Sequence, residues 1–227
     1  MKIREVAITV GKLDAAAAFF RDVLKMPVAE QVDRVTVTAG FSRLVITPGE
    51  QFDGVHHLAF GVSPHDFDDA RIWLKQRVDL IAAGDSEVVQ GPPGWDSRSV
   101  YFLGPEDILL EFIARESDSG LPPRDGVIPL PFSISEIGIS VPDTMAAVAE
   151  LTKVLRLPIF PPQEADFAAV GDHDGLLIVV DQDRTWFPTR VHTAARGPVA
   201  VRIDASHRHG QVALGENATI TAASVQS

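Results

Sequence analysis

Two glutamates and a histidine, Glu5, Glu111 and His57, stand at strand positions from which their side chains could converge on one ligand. Glu5 and Glu136 occupy the same place in two copies of one segment, REVAITVGKLDAAAAFFRDVLKMPV from Arg4 and SEIGISVPDTMAAVAELTKVLRLPI from Ser135, which align without a gap at an offset of 131. A third segment, His57-Leu-Ala-Phe-Gly-Val62, repeats that strand with histidine in the glutamate's place, and Glu111 lies on a further run, Ile108 to Ala114. Alternation puts Val6, Ile8 and Val10, Leu58, Phe60 and Val62, and Ile108, Leu110 and Phe112 on packing faces. The opposite faces carry Ile3, Glu5, Ala7 and Thr9, then His57, Ala59 and Gly61, then Leu109, Glu111 and Ile113. If the strands curl into a cup, the small residues leave room for a ligand, and the carboxylates of Glu5 and Glu111 meet the His57 imidazole on its floor. One histidine with two carboxylates suits a borderline or hard divalent ion: Mn(II), Fe(II), Zn(II), Ni(II) or Co(II). A slip of one residue in register would substitute His56 for His57. Tyr101, the only tyrosine, lies on the strand leading to Glu111; it either donates to a bound oxyanion or caps the core.

The elements that must position these groups follow from switches between period two and period 3.6. Ile3 to Val10 reads as strand and Leu13 to Leu24 as an amphipathic helix with Pro27 beyond its end; strands follow at Val28 to Val32, Arg34 to Ala39 and Arg43 to Thr47. A second unit repeats the order: strand His57 to Val62, a helix from about Asp66 to Gln76, then strands near Ser86 to Gln90, Ser99 to Leu103 and Ile108 to Ala114, with Gly91-Pro-Pro-Gly94-Trp95 as a loop over the sheet. Residues 116–131 carry no periodicity and read as a linker between a first domain, 1–115, and a second, 132–227. The second domain holds one full unit, Phe132 to about Asp183, and a degenerate one in which His207-Arg-His-Gly210 stands where a helix belongs. The fold class expected is α+β, with tandem strand-helix-strand-strand-strand units forming curved mixed sheets around a cup.

Composition limits the partners. A chain of 227 residues with net charge −11 repels nucleic-acid backbones and anionic membranes, so neither is expected as a partner. Without cysteine there is no disulfide frame, thiolate zinc site or thiol nucleophile. The charged opening MKIREVAITV is not a signal peptide and no run reaches the roughly 18 apolar residues of a membrane span, which points to a soluble cytoplasmic protein. The partner expected is a small-molecule substrate, and a homodimer is compatible with the pattern.

The repeated unit resembles the vicinal oxygen chelate superfamily of glyoxalases, bleomycin-resistance proteins and extradiol dioxygenases. The residues that carry the resemblance are E-V-A-I-T-V before a helix containing A-F-F-R-D-V-L, the strand H-H-L-A-F-G-V, and Y-F-L-G-P-E-D-I-L-L-E at the end of the first half. The last is similar to the family's Y-F-x-D-P-x-G-x-x-x-E, with Gly104 for the Asp and Asp107 for the Gly. Carried over by position, the resemblance implies one divalent metal on Glu5, His57 and Glu111. The fourth glyoxalase I ligand falls on Ile46, which weakens isomerase chemistry, and the histidine of extradiol enzymes falls on Glu5. In the second half Glu136 matches Glu5, but valine stands at the histidine position and Ala218 to Ala223 has no glutamate, so no metal is expected there. His173 reads as a hairpin turn, and His207 and His209 as surface loop. Arg184-Thr-Trp186-Phe187-Pro188 either lines a pocket or packs between halves. Two functions follow: a metal-dependent dioxygenase or lyase acting on vicinal oxygens, or a metal-free protein that sequesters a small molecule.

Overall fold

The computed structural model describes every residue except 122–127, 129, 206–208 and 224–227, so His207 and part of the expected linker lie outside the described residues. The first unit comprises β1 (Lys2–Val10), α1 (Leu13–Ala18), β2 (Val28–Glu30), β3 (Val35–Ala39) and β4 (Ser42–Pro48). The second comprises β5 (His57–Gly61), α2 (Phe67–Lys75), β6 (Leu80–Ile81), β7 (Val89–Gln90), β8 (Ser97–Leu103) and β9 (Leu109–Arg115). The third comprises β10 (Ser133–Val141), α3 (Thr144–Leu155), β11 (Ile159–Glu164), β12 (Phe167–Asp172) and β13 (Gly175–Asp181); β14 (Val199–Asp204), β15 (Gly210–Leu214) and β16 (Ala218–Ala222) follow.

One rule organises the sheet. In every unit the closing strand runs parallel to the opening one: β4 beside β1, β9 beside β5, β13 beside β10, β16 beside β14. Each opening strand therefore keeps an edge whose backbone donors and acceptors need a partner. β5 takes β10 and β1 takes β14, both antiparallel, and the two pairs meet where Ile3 faces Ile134. The sheet thus joins the second unit to the third across residues 116–131. The expected division into halves at 1–115 and 132–227 does not describe how the strands pair.

Both copies of the duplicated strand also carry a register shift at the same place, between Ile3 and Glu5 in β1 and between Ile134 and Glu136 in β10. An extra residue in one strand breaks alternation locally. Ile3 is accordingly buried in the helix-side core with Val6, instead of sharing a face with Glu5 as alternation alone requires. Ser42 stitches the two copies together, donating from Oγ to Ile3 O at 2.6 Å and accepting from Ile134 N at 2.9 Å.

The helices pack on one side of the sheet. α3 is capped by Asp143, whose Oδ1 accepts from Ala146 N at 2.9 Å, and ends at Arg156 in the left-handed region. α1 has no side-chain cap and widens into a π-helical turn over Phe19–Val23, so the continuous helix expected to Leu24 is replaced by a wider last turn that buries Phe20. On the other face a smaller apolar cluster includes Val55, Trp95, Leu109, Ile178, Val180 and Trp186. No helix among the described residues is long and apolar enough to cross a membrane.

Candidate metal centre

His57, at the start of β5, and Glu111, on β9, lie on the same face two residues out of register with each other, since His57 is paired with Leu109 and Ala59 with Glu111. Glu136 enters from the far side, because the bulge in β10 sets it opposite Ala59. The three side chains are buried, and each offers a ligand atom within 4.8 Å of the others. Small residues make this convergence possible. A Cβ on Gly138 would stand 2.5 Å from the Trp186 ring and 3.2 Å from His57 Cβ.

The structure therefore brings together His57 and Glu111 but not Glu5, and it corrects the expectation that Glu136 stands alone in a half without a metal site. Glu5 sits at the equivalent bulge in β1, on a sheet face shared with β4 and β14. There it is bound by Arg43 at 3.0 Å and approached by Arg202 at 4.0 Å. The physical reason is strand pairing: the partner of β5 is β10, so the carboxylate that reaches the second unit belongs to the second copy of the duplicated strand.

The imidazole is held in one tautomer. His57 Nδ1 lies 3.2 Å from Leu109 O, an acceptor only, so Nδ1 carries the hydrogen and Nε2 presents its lone pair. Nε2 is 3.5 Å from Glu111 Oε2, too long for a good hydrogen bond. It is close to the roughly 3.4 Å edge of a tetrahedron whose metal bonds are about 2.1 Å. Burial pushes the His57 pKa down to about 4, against which the Leu109 carbonyl acts. Burial first, and then the charge of Glu136, push Glu111 up to about 8, with Ser99, Arg115 and Tyr101 pulling the other way. Burial likewise raises Glu136, against the pull of Arg115. A neutral imidazole facing carboxylates that resist ionisation is a set of donors short of positive charge.

Arg115 supplies part of that charge. Almost fully buried at the end of β9, it binds Glu136 Oε1 through Nη2 and approaches Ser135 Oγ through Nε at 3.3 Å. Glu111, Ile113 and Arg115 alternate onto one face of β9, which is the signal that places Arg115 beside the site. Tyr101 is half-buried on β8 directly opposite Glu111, and its ring stacks on His57 with centroids 6.4 Å apart. Burial, followed by the charges of Glu111 and Glu136, raises its hydroxyl well above the ordinary range, so it stays protonated as a donor.

His57, Tyr101, Glu111 and Glu136 line a cavity of about 390 Å³. The segment Arg184 to Pro188 contributes Arg184, Trp186 and Phe187 to its wall, and Trp186 packs 5.1 Å from His57 while its Nε1 donates to Val55 O at 2.9 Å. Trp95, from the Gly-Pro loop, closes another side and donates to Pro161 O at 2.7 Å. His56 points the opposite way, into a separate cavity of about 590 Å³ beside Thr9 and Lys12. His173 lies in the turn between β12 and β13, against Phe160.

The shifts fix how the metal-free protein should respond to pH. Below 6.5 the unfolded chain takes protons on His56 and His57, whereas both are pushed down to about 4 in the fold, so stability falls as the medium becomes acidic. Glu111 works in the other direction, holding a proton in the fold up to about 8 and losing it at 4.5 when unfolded. Above pH 6.5 only the carboxyl terms remain, and Glu111 alone removes about 2 kcal/mol by pH 8. Urea unfolding in the presence of a chelator should show stability falling from pH 6.5 to pH 8. A flat profile from 6.5 to 8 would refute this account of Glu111.

Repeated strand-helix-strand-strand-strand units in one sheet, with a buried histidine and two glutamates facing a cavity, define the class of fold. The chain belongs to the Glyoxalase/Bleomycin resistance protein/Dioxygenase superfamily, whose family model matches residues 2–154. Among solved structures, a provisionally assigned dioxygenase from Bacillus subtilis subsp. subtilis str. 168 superposes with a TM-score of 0.65 at 14% identity, covering 98% of this chain and 85% of that one. Glyoxalase I from Zea mays gives a TM-score of 0.56 at 15% identity, over 88% of this chain and 74% of that one. At these identities the likeness is one of fold. No curated protein matches the chain by sequence.

Proposed function

We propose that the protein is a metal-dependent enzyme acting on a small substrate with two neighbouring oxygens, of dioxygenase or lyase type, and that His57, Glu111 and Glu136 hold one divalent ion. The observation that carries this reading is the convergence of three buried ligand atoms, one of them a histidine Nε2 with its tautomer set by Leu109 O. A divalent ion there would act as a Lewis acid, stabilising negative charge that develops on substrate oxygens.

The chain's own residues do the rest. Leu109 orients the imidazole, and Arg115 holds Oε1 of Glu136, which leaves the other oxygen for an ion. Tyr101, protonated and opposite Glu111, is placed to donate to an oxyanion. Trp95, Trp186 and Phe187 present flat apolar surface to the substrate body.

A second reading, metal-free sequestration of a small molecule, is favoured by one observation: Arg115 already gives Glu136 a cation. Elemental analysis of untagged protein separates the two. About one equivalent of metal in the wild type, lost in His57→Ala, supports the enzyme. No metal after reconstitution with Mn(II), Fe(II) or Zn(II) removes it and leaves sequestration.

A further inference from the structure

At the far ends of β8 and β9 two buried polar atoms have no partners, one on the cavity wall at Ser97 and one on its cross-strand neighbour Arg115, which stands outside the lining. Ser97 and Arg115 are cross-strand neighbours in register, and they are 8% and 1% exposed. Ser97 lines the cavity, yet its Oγ makes no hydrogen bond; Arg115 uses Nε and Nη2 on Ser135 and Glu136, but Nη1 has no partner. Buried polar groups are almost always satisfied, and each one left open costs as much as a lost hydrogen bond. Both can donate, and the guanidinium can only donate. What is missing is therefore an acceptor.

The surroundings keep this place open. Gly91 lies over the serine, and a Cβ at that position would come within 2.3 Å of Ser97 Oγ. The Arg115 guanidinium rests over the ring of Trp95 at 5.6 Å, so the charge is set against a residue that also lines the cavity. The rest of the lining is largely aromatic, with Trp95, Tyr101, Phe167, Trp186 and Phe187, and also includes Ser99 and the charged pair Glu164 and Arg184. With a divalent ion bound, the ion and Arg115 set against Glu111 and Glu136 leave one net positive charge, and Arg184 and Glu164 on the wall offset each other, so a single anionic group completes the balance.

We propose that Ser97 and Arg115 form a carboxylate subsite, Ser97 donating from Oγ and Arg115 supplying the positive charge behind it, and that the substrate is a monocarboxylate with a flat apolar body. The proposal rests on the metal-dependent reading for the substrate's other end, where its neighbouring oxygens face His57, Glu111 and Glu136. The carboxylate subsite itself stands on Ser97 and Arg115 alone.

Benzoate and benzyl alcohol, matched in size and differing in charge, are the probes. Binding is read by quenching of tryptophan fluorescence, since Trp95 and Trp186 line the cavity, with protein freed of metal and again after loading with Zn(II). Benzoate should bind about tenfold more tightly than benzyl alcohol in both forms, as expected for one charge-assisted hydrogen bond. Ser97→Ala, a mild change that leaves Arg115 and Glu136 paired, should remove most of that preference without altering benzyl alcohol binding. Equal affinity for the two probes in wild-type protein overturns the proposal. So does a benzoate preference that Ser97→Ala leaves intact, because the carboxylate is then on the metal or elsewhere. Failure of the metal reading appears separately, as absence of Zn(II) uptake, and the metal-free titration still tests the subsite.

Discussion

Glu136→Gln should lose Mn(II) or Zn(II) affinity by two orders of magnitude or more, while Glu5→Gln keeps the wild-type value. Removing an outer-shell partner of a metal ligand already costs roughly 10–100-fold, and removing a ligand costs more. Glutamine preserves volume, so the cavity stays filled and the comparison isolates the charge. Glu5 is the sharp control because it occupies the same position in the duplicated strand, yet it sits with Arg43 and Arg202 instead of with His57. Equilibrium dialysis of both variants decides the matter. If Glu5→Gln lost metal and Glu136→Gln kept it, the pairing of β5 with β10 would be wrong.

Arg115→Met should make the fold dependent on metal. In the metal-free protein the substitution leaves Glu136 buried without its cation, and breaking a buried pair from one side costs about 3–5 kcal/mol. A bound divalent ion replaces the lost charge and adds its own binding free energy to the folded state. Urea unfolding of Arg115→Met should therefore show a large deficit with a chelator and a much smaller one with saturating Mn(II). The wild type should show a weaker metal effect, because Arg115 already neutralises Glu136. An equal loss in both conditions would mean that the ion and Arg115 do not share that carboxylate.

The unit order was legible from periodicity because opening strands and helices repeat at a fixed offset, and His57 and Glu111 were legible because each follows strict alternation within its strand. Glu136 was not. Sequence shows that Glu5 and Glu136 are equivalent; it does not show which of them faces His57, since that depends on which free strand edge finds which partner far along the chain. The bulges were hidden for a related reason. Alternation assigned Ile3 and Glu5 to one face, whereas the extra residue turns Ile3 into the core and leaves Glu5 on the other side. Trp186 lies in an irregular segment with no period to read, although the concentration of aromatic and basic residues from Arg184 to Pro188 marked the place.

The seam between β5 and β10 has one more implication. Each side of the candidate centre is incomplete, with His57 and Glu111 contributed by one strand group and Glu136 by another. Were these groups on separate polypeptides, completing the centre would be a second-order event, and occupancy would fall on dilution. Tethering converts that encounter into a first-order step with a fixed effective molarity. The assembled centre should therefore be as complete in a nanomolar solution as in a concentrated one.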